Sequence, residues 1–214
     1  MLMQADTPAA RAWFVGDFVP EVLELVLVAW KSFLISRSAR LEQRITNLFS
    51  DVLEQAYEKQ GKRWFLVPDM KRTDPKTGKE IARHDIRFFH RDISGQRLYF
   101  LFECKRLNVR NKRGRIIPNS SSYTAGMIRF VSRKYGGSHP CGGMIGYVMD
   151  GDVPSALAAV KRRIGRRRTV LRICAGGDYA PSLLMPNHKH NGETKHFRED
   201  GDFTIYHLFL AVKR

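Results

Sequence analysis

Acidic residues are scarce in this 214-residue chain: 21 Asp and Glu stand against 37 Lys and Arg, a formal net charge of +16 at pH 7. Such an imbalance makes a polyanion the expected partner, nucleic acid before a ribosomal or membrane surface. Cysteine is scarce too. Cys104, Cys141 and Cys174 are far apart, odd in number and form no Cys-x-x-Cys pair. That excludes a disulfide scaffold and leaves free thiols in a reducing cytoplasm as the expectation. Long unbroken hydrophobic runs are missing. The most apolar stretch, Phe18 to Ile35, is interrupted by Glu21, Glu24 and Lys31, carries Pro20 near its start and has no cleavage-site pattern at its flanks. It predicts a helix in the core or against a partner chain and no membrane span. With no internal repeat and no low-complexity linker, one domain is the default at this length.

What is present centres on Ala82 to Arg106. Two runs rich in aromatic and aliphatic residues flank His90 to Arg97, which has turn composition, so the segment predicts a β-hairpin. With the turn centred on Ser94, Asp85 falls opposite Glu103. Period-2 alternation then places Asp85, Arg87 and Phe89 on one face with Tyr99, Leu101, Glu103 and Lys105. His84, Ile86, Phe88, Phe100, Phe102 and Cys104 share the other face, which suits burial.

Two carboxylates facing each other across a ladder repel. A cation between them relieves the repulsion, and a hard divalent ion such as magnesium favours carboxylate oxygen. Lys105, on the same face, is placed to hold an attacking water or to steady charge developing on phosphate. The bland alternative is a solvated face with a cross-strand salt bridge.

An acid followed by Glu-x-Lys on the next strand, here Asp85 and then Glu103-Cys104-Lys105, resembles the PD-(D/E)xK nuclease superfamily. His84 stands where that pattern has its nominal proline. The literal Pro68-Asp69 is a poor substitute, because the hairpin pairing would match Asp69 to position 119, beyond the strand. The resemblance implies a restriction-endonuclease-like fold, with a mixed central β-sheet flanked by helices. It also implies Mg2+, with Mn2+ as a substitute, held by Asp85, Glu103 and the Cys104 main-chain carbonyl. A helix before the sheet often supplies a third acid in this superfamily, and Glu42 is the candidate. It lies early in the helix expected from Ser38 to Lys59, where Leu41, Ile45, Leu48, Phe49, Val52, Leu53, Ala56 and Tyr57 form one apolar stripe. Ser38 is its expected N-cap and Gly61 its stop. A glutamate near a helix N-terminus is equally what the helix dipole favours, so both roles for Glu42 stay open, and Glu54 is the lesser substitute.

The remaining pattern is mixed. Met1 to Arg11 predicts a frayed start, Arg63 to Val67 a strand, and Met70 to Glu80 a loop. Lys105 to Arg115 predicts a mobile loop whose Arg106, Arg110, Lys112, Arg113 and Arg115 track phosphates. A helix over Ser120 to Tyr135, capped by its serines, puts Arg129 and Arg133 at a spacing that meets one backbone. The string from Tyr123 to Val131 is similar to sequences of bacterial nucleases, some linked to phage defence. Gly143 to Met149 predicts a buried central strand, Asp150-Gly151-Asp152 a turn and cap, and Val153 to Ile164 a helix. A strand over Thr169 to Ile173 follows. Arg166, Arg167 and Arg168, with Lys161, Arg162, Arg163 and Arg172, form a second phosphate-binding patch. Residues 176 to 202 predict an irregular stretch. Its His188, His190 and His196 lack a convincing fourth zinc ligand. Phe203 to Val212 predicts a strand with His207 as a satisfied core histidine.

The expected class is therefore α/β (α+β), with an N-terminal helical segment over 1–36 and a nuclease-like domain over 37–214. The expected activity is metal-dependent phosphodiester hydrolysis, on DNA more than RNA, in the cytoplasm. A homodimer or a larger defence complex is the expected assembly. The alternatives are a catalytically inactive, basic nucleic-acid-binding subunit, and an interaction protein docking through its apolar first helix.

Overall fold

The computed structural model describes residues 3–4, 7–34, 41–60, 64–73, 80–90, 93–94, 98–135 and 139–213. Ser38, Gly61 and most of the turn around Ser94 lie outside them. Two helices, α1 (Pro8–Trp13) and α2 (Val19–Ser32), are joined by a π-helical turn over Phe14–Phe18, and α3 (Glu42–Gln60) follows. Strands β1 (Trp64–Thr73), β2 (Glu80–His90) and β3 (Tyr99–Leu107) precede α4 (Ser120–Val131). Then come β4 (Cys141–Val148), α5 (Val153–Arg166), the two-residue β5 (Ala180–Pro181), β6 (Gly192–Arg198) and β7 (Gly201–Ala211).

The seven strands form one mixed sheet in the order β1-β2-β3-β4-β7-β6-β5. Pairs β3–β4 and β4–β7 are parallel and the other pairs antiparallel. The two parallel steps move the same way along the sheet, so right-handed crossovers put α4 and α5 on one face. There they bury Met127, Phe130, Val160 and Ile164 against Leu101, Met144 and Phe209. Helices α1, α2 and α3 cover the other face, where Phe14, Val26, Trp30 and Phe49 share a core with Phe88, Phe100, Phe102, Cys104 and Tyr147. The helices before residue 36 thus share a core with the sheet. Trp30 stacks on Tyr147 at 5.4 Å and donates its indole N–H to the Ala211 carbonyl at 2.8 Å. Among the described residues, no helix is long and apolar enough to cross a membrane.

The β2–β3 register is the one the sequence predicts. Phe89 pairs with Tyr99 and Ile86 with Phe102, so paired numbers sum to 188. Strand β4 is buried at every position, and its glycines make room for large rings. A Cβ on Gly143 would lie 2.3 Å from the Phe102 ring. Asp152 caps α5 by accepting from the Ser155 N–H at 3.1 Å, and Gly151 takes φ +80 in the turn before it.

Several expectations are corrected. The chain is helical from Pro8, capped by Thr7, and Ala10 is fully buried, so the frayed start does not extend to Arg11. Residues 70–73 continue β1 and are not a loop, because β2 is long enough to pair with them, and β1 tolerates Pro68 because it is the sheet's edge. The basic segment after β3 is a small hairpin, Val109–Arg110 against Ile116–Ile117, and not an open loop.

Helix α4 ends at Val131, and Arg133 lies beyond it at φ +61, so the helical spacing expected of Arg129 and Arg133 does not exist. The serines do not cap α4 either. Asn119 holds the cap position without a capping bond. Residues 169–172 form hydrogen-bonded turns, with only Ile173 bridged to His196, and no strand. Residues 192–198 are strand β6, hidden in the sequence because its burial is inverted. Gly192, Thr194, His196 and Arg198 point inward, while Phe197 is 58% exposed.

Candidate active site

The β2–β3 ladder stops at Ile86 and Phe102, one step before the two acids would face each other. Beyond that step the edge of β3 turns to side chains. The Cys104 N–H donates to Asp85 Oδ2 at 2.7 Å, and the Arg106 N–H donates to Glu42 Oε2 at 3.0 Å. Two carboxylates from β2 and from the first turn of α3 thus take over N–H groups on the edge of β3. This explains locally why acids are tolerated beside so apolar a strand.

Lys105 is the hub. Its ammonium lies 2.9 Å from Glu42 Oε1 and 2.8 Å from Glu103 Oε1, and it donates to the Cys104 carbonyl at 2.7 Å. Glu103 Oε1 also takes Arg129 of α4 at 2.7 Å, and the same guanidinium nitrogen donates to the Tyr135 hydroxyl at 2.8 Å. The site is graded in depth. The Glu103 side chain is 1% exposed and Lys105 12%, whereas Glu42 and Arg129 reach 32% and 45%. Glu103 and Lys105 form the floor, and Glu42 and Arg129 form the rim. Helix α4 approaches the floor closely at Gly126, where a Cβ would sit 3.0 Å from Glu103 Cγ and 2.9 Å from Met144 Cε.

Charge in this cluster is unbalanced. Three carboxylates face two cations. Burial, followed by Glu103, pushes Asp85 up to about 7, against the pull of Lys105. Burial alone would lower Lys105, but Glu103, Glu42 and Asp85 together raise it, so it stays an ammonium. Arg129 is raised in the same way: burial alone would lower it, but Glu103, Tyr135 and Asp85 together raise it. Burial, then Glu103, lifts the Tyr135 phenol and keeps it neutral.

The four residues expected at the centre, Glu42, Asp85, Glu103 and Lys105, are therefore brought together, on three different elements. The Cys104 carbonyl is in the cluster as an acceptor for Lys105. Arg129 and Tyr135 complete it. Arg129 stands out in the sequence only as a phosphate contact, and Tyr135 only as the expected end of a helix that stops at Val131. Among the described residues, no three His, Cys, Asp or Glu are already spaced to hold a metal ion. The Lys105 ammonium fills the space between Glu42 and Glu103. In kind, three carboxylates and a carbonyl with a deficit of positive charge are donors that a divalent cation takes.

The expected phosphate contacts are spread around this centre. Arg110, Lys112, Arg113 and Arg115 are exposed on the hairpin, and Arg106 is half-buried at its root. Arg133 lies 3.6 Å from Asp200, Arg168 is paired with Asp178, Arg166 is exposed and Arg167 half-buried. The histidines are scattered. His196 and His207 are fully buried and joined through Thr194, at 2.7 and 2.9 Å from its hydroxyl, while His207 also meets the Tyr123 hydroxyl at 3.0 Å. His207 is thus a satisfied core histidine. His188 lies 3.9 Å from Glu24 on α2. No protein family, no curated protein and no solved structure matches this chain.

Proposed function

We propose that the protein is a metal-dependent nuclease of the PD-(D/E)xK kind, acting on DNA. The observation that carries this reading is the convergence of Glu42, Asp85 and Glu103 on Lys105, each acid from a different element, beside a densely basic hairpin. Asp85, Glu103, Glu42 and the Cys104 carbonyl would hold Mg2+ or Mn2+. When bound, that ion supplies Lewis-acid activation of water and neutralises charge on the reacting phosphate.

The chain's own residues do the rest. Lys105 is kept protonated by its three acidic neighbours. It is therefore a donor that can orient a water or stabilise a phosphate oxygen, and not a base that removes a proton. Arg129, half-exposed at the rim, is placed to take a phosphate oxygen in a two-pronged contact. Tyr135 fixes its orientation through hydrogen bonding and through the ring face, 5.5 Å from the guanidinium carbon.

A binding-only subunit is the competing reading, and the engagement of Glu103 by two cations favours it. Incubation of the purified protein with supercoiled plasmid separates the two. Relaxation or linearisation in Mg2+ or Mn2+ that chelator abolishes supports the nuclease. Salt-sensitive binding without cutting supports the subunit. A place in defence against phage or mobile DNA, alone as a homodimer or within a larger complex, belongs to the same proposal and is tested by plating phage on cells that carry the protein or its Lys105→Ala variant.

A further inference from the structure

We infer that the hairpin after β3 is a rigid arm that enters the major groove of duplex DNA, making double-stranded B-form DNA the substrate class of the site. The inference rests on the nuclease reading for where the scissile phosphate lies, but its test does not require cleavage.

Rigidity comes first. The hairpin pairs Val109 with Ile117 and Arg110 with Ile116. Both roots are asparagines in the left-handed region, Asn108 at φ +49 and Asn119 at φ +54, a conformation that asparagine tolerates better than most residues. Each is tied to the body of the protein. Asn108 Nδ2 donates to Asp150 Oδ1 at 3.0 Å and to the Asp152 carbonyl at 3.3 Å, and Asn119 Nδ2 donates to the Arg106 carbonyl at 2.8 Å.

The tip is locked as well. Asn111 Oδ1 accepts from the N–H groups of Arg113 and Arg115 at 2.9 and 3.0 Å, and Arg110 donates to the Gly114 carbonyl at 2.7 Å. Gly114 supplies the φ of +77 that the turn requires. An arm held at both ends keeps its shape on binding and loses little freedom there.

Charge and shape choose the partner. No Asp or Glu occurs between Glu103 and Asp150. Every residue from Arg110 to Ile117 is exposed, including Lys112, Arg113 and Arg115. A two-stranded ribbon fits the B-DNA major groove, about 12 Å wide, and not the minor groove of about 6 Å. The deep, narrow major groove of A-form RNA does not admit it. Ile116 and Ile117, 47% and 44% exposed, lie on opposite faces of the ribbon, so one of them can meet a thymine methyl group whichever face turns to the bases.

Single strands are instead held on exposed aromatic platforms. Among the residues whose side chains are described, the one exposed large aromatic is Phe197, on β6, three strands away from β3. The arm is rooted at Asn108, three residues after Lys105, and from there to Asn111, at roughly 3.3 Å per residue, it reaches about 10 Å before its turn, comparable with the depth of the major groove.

The test is equilibrium binding in chelator, by anisotropy, to a labelled DNA duplex, either single strand and the matching RNA duplex. Expected for the wild type is at least about tenfold tighter binding to the DNA duplex, within the range of a few good groove contacts. The combined Lys112→Ala, Arg113→Ala and Arg115→Ala variant should lose that preference while its melting temperature stays unchanged. Its salt dependence should become shallower by about 0.9 for each phosphate contact removed. Equal wild-type affinity for single strands or RNA duplex overturns the inference, as does a triple variant that binds the DNA duplex like the wild type. Tip-dependent duplex binding without cutting in Mg2+ leaves the arm standing and removes the nuclease. Metal-dependent cutting without duplex preference does the reverse.

Discussion

Glu42, the first residue of α3, and Lys105, near the end of β3, meet at 2.9 Å across 63 positions of sequence. The contact ties the helical layer to the split edge of the sheet. It also gives Glu42 two simultaneous tasks, since its other oxygen accepts the Arg106 N–H. Glu42→Gln keeps the shape and one hydrogen-bonding oxygen but removes the charge. Cleavage in Mg2+ should fall about 10- to 100-fold, the usual loss when a carboxylate supporting a metal site is neutralised. A Glu42→Gln enzyme with wild-type rate and metal requirement would reduce Glu42 to a helix-end glutamate that caps a strand.

Arg129 leads to a prediction of opposite sign. It competes with any cation for Glu103 Oε1. Arg129→Gln should therefore lower the Mg2+ concentration for half-maximal cleavage by about tenfold, equivalent to a coupling near 1.4 kcal/mol. Affinity for DNA should weaken at the same time. A higher Mg2+ requirement in this variant would contradict the assignment of Arg129 as a competitor.

Gly126 sets how closely α4 covers the floor. In Gly126→Ala the new methyl pushes on Glu103 Cγ and on the flexible end of Met144. Alanine gains helix propensity of about 1 kcal/mol, which offsets part of the crowding. Cleavage should drop about tenfold or more, because small displacements of a reacting group are costly, while the melting temperature moves by only a few degrees. A large loss of stability with full residual activity per folded molecule would show that the glycine serves packing alone.

The buried histidines make stability depend on acid. Burial lowers His196 to about 4, and burial followed by neighbouring His196 lowers His207 to about 3. An unfolded histidine takes up its proton near about 6.5. Below that pH the unfolded chain binds protons that the folded chain refuses, so their contribution is complete above about 6.5 and is lost as pH falls toward 4 and then 3. Each ring adds a slope of at most about 1.4 kcal/mol per pH unit. Urea midpoints measured from neutral pH downward should show the fall, and His207→Gln should flatten it relative to wild type. Parallel slopes for the two proteins would rule out the histidine as a source.

That Asp85, Glu103 and Lys105 lie together in the candidate site was legible in the sequence because it rests on strand alternation and hairpin register, whereas the place of Glu42 does not. Both follow from the aromatic runs around Asp85 and Glu103 and the turn-rich stretch between them. Strand β4 and helix α5 were legible for similar reasons, an unbroken apolar run and a strong cap at Asp152. Strand β6 was not. Its inward face carries the polar Thr194, His196 and Arg198, with His196 bonded to the Leu171 carbonyl, Thr194 to His207 and Arg198 to Asp200, and its exposed face carries Phe197, so the usual signal is reversed. The pairing of Arg129 with Glu103 was hidden likewise, because it depends on how α4 lies over the sheet and on a glycine that permits close approach. The hairpin after β3 carries no strand signal in the sequence because its order comes from asparagine side chains and two left-handed residues, not from hydrophobic alternation.

The most direct measurement is cleavage of supercoiled plasmid in Mg2+ by the wild type and by Asp85→Ala and Lys105→Ala, each variant first shown to be folded by its melting curve. The account predicts chelator-sensitive cutting by the wild type and a loss of about a thousandfold or more in both variants, the scale expected when a charge-stabilising group is removed from the reacting centre. Undiminished metal-dependent cutting by both variants, or no cutting by the wild type in either Mg2+ or Mn2+, would contradict it.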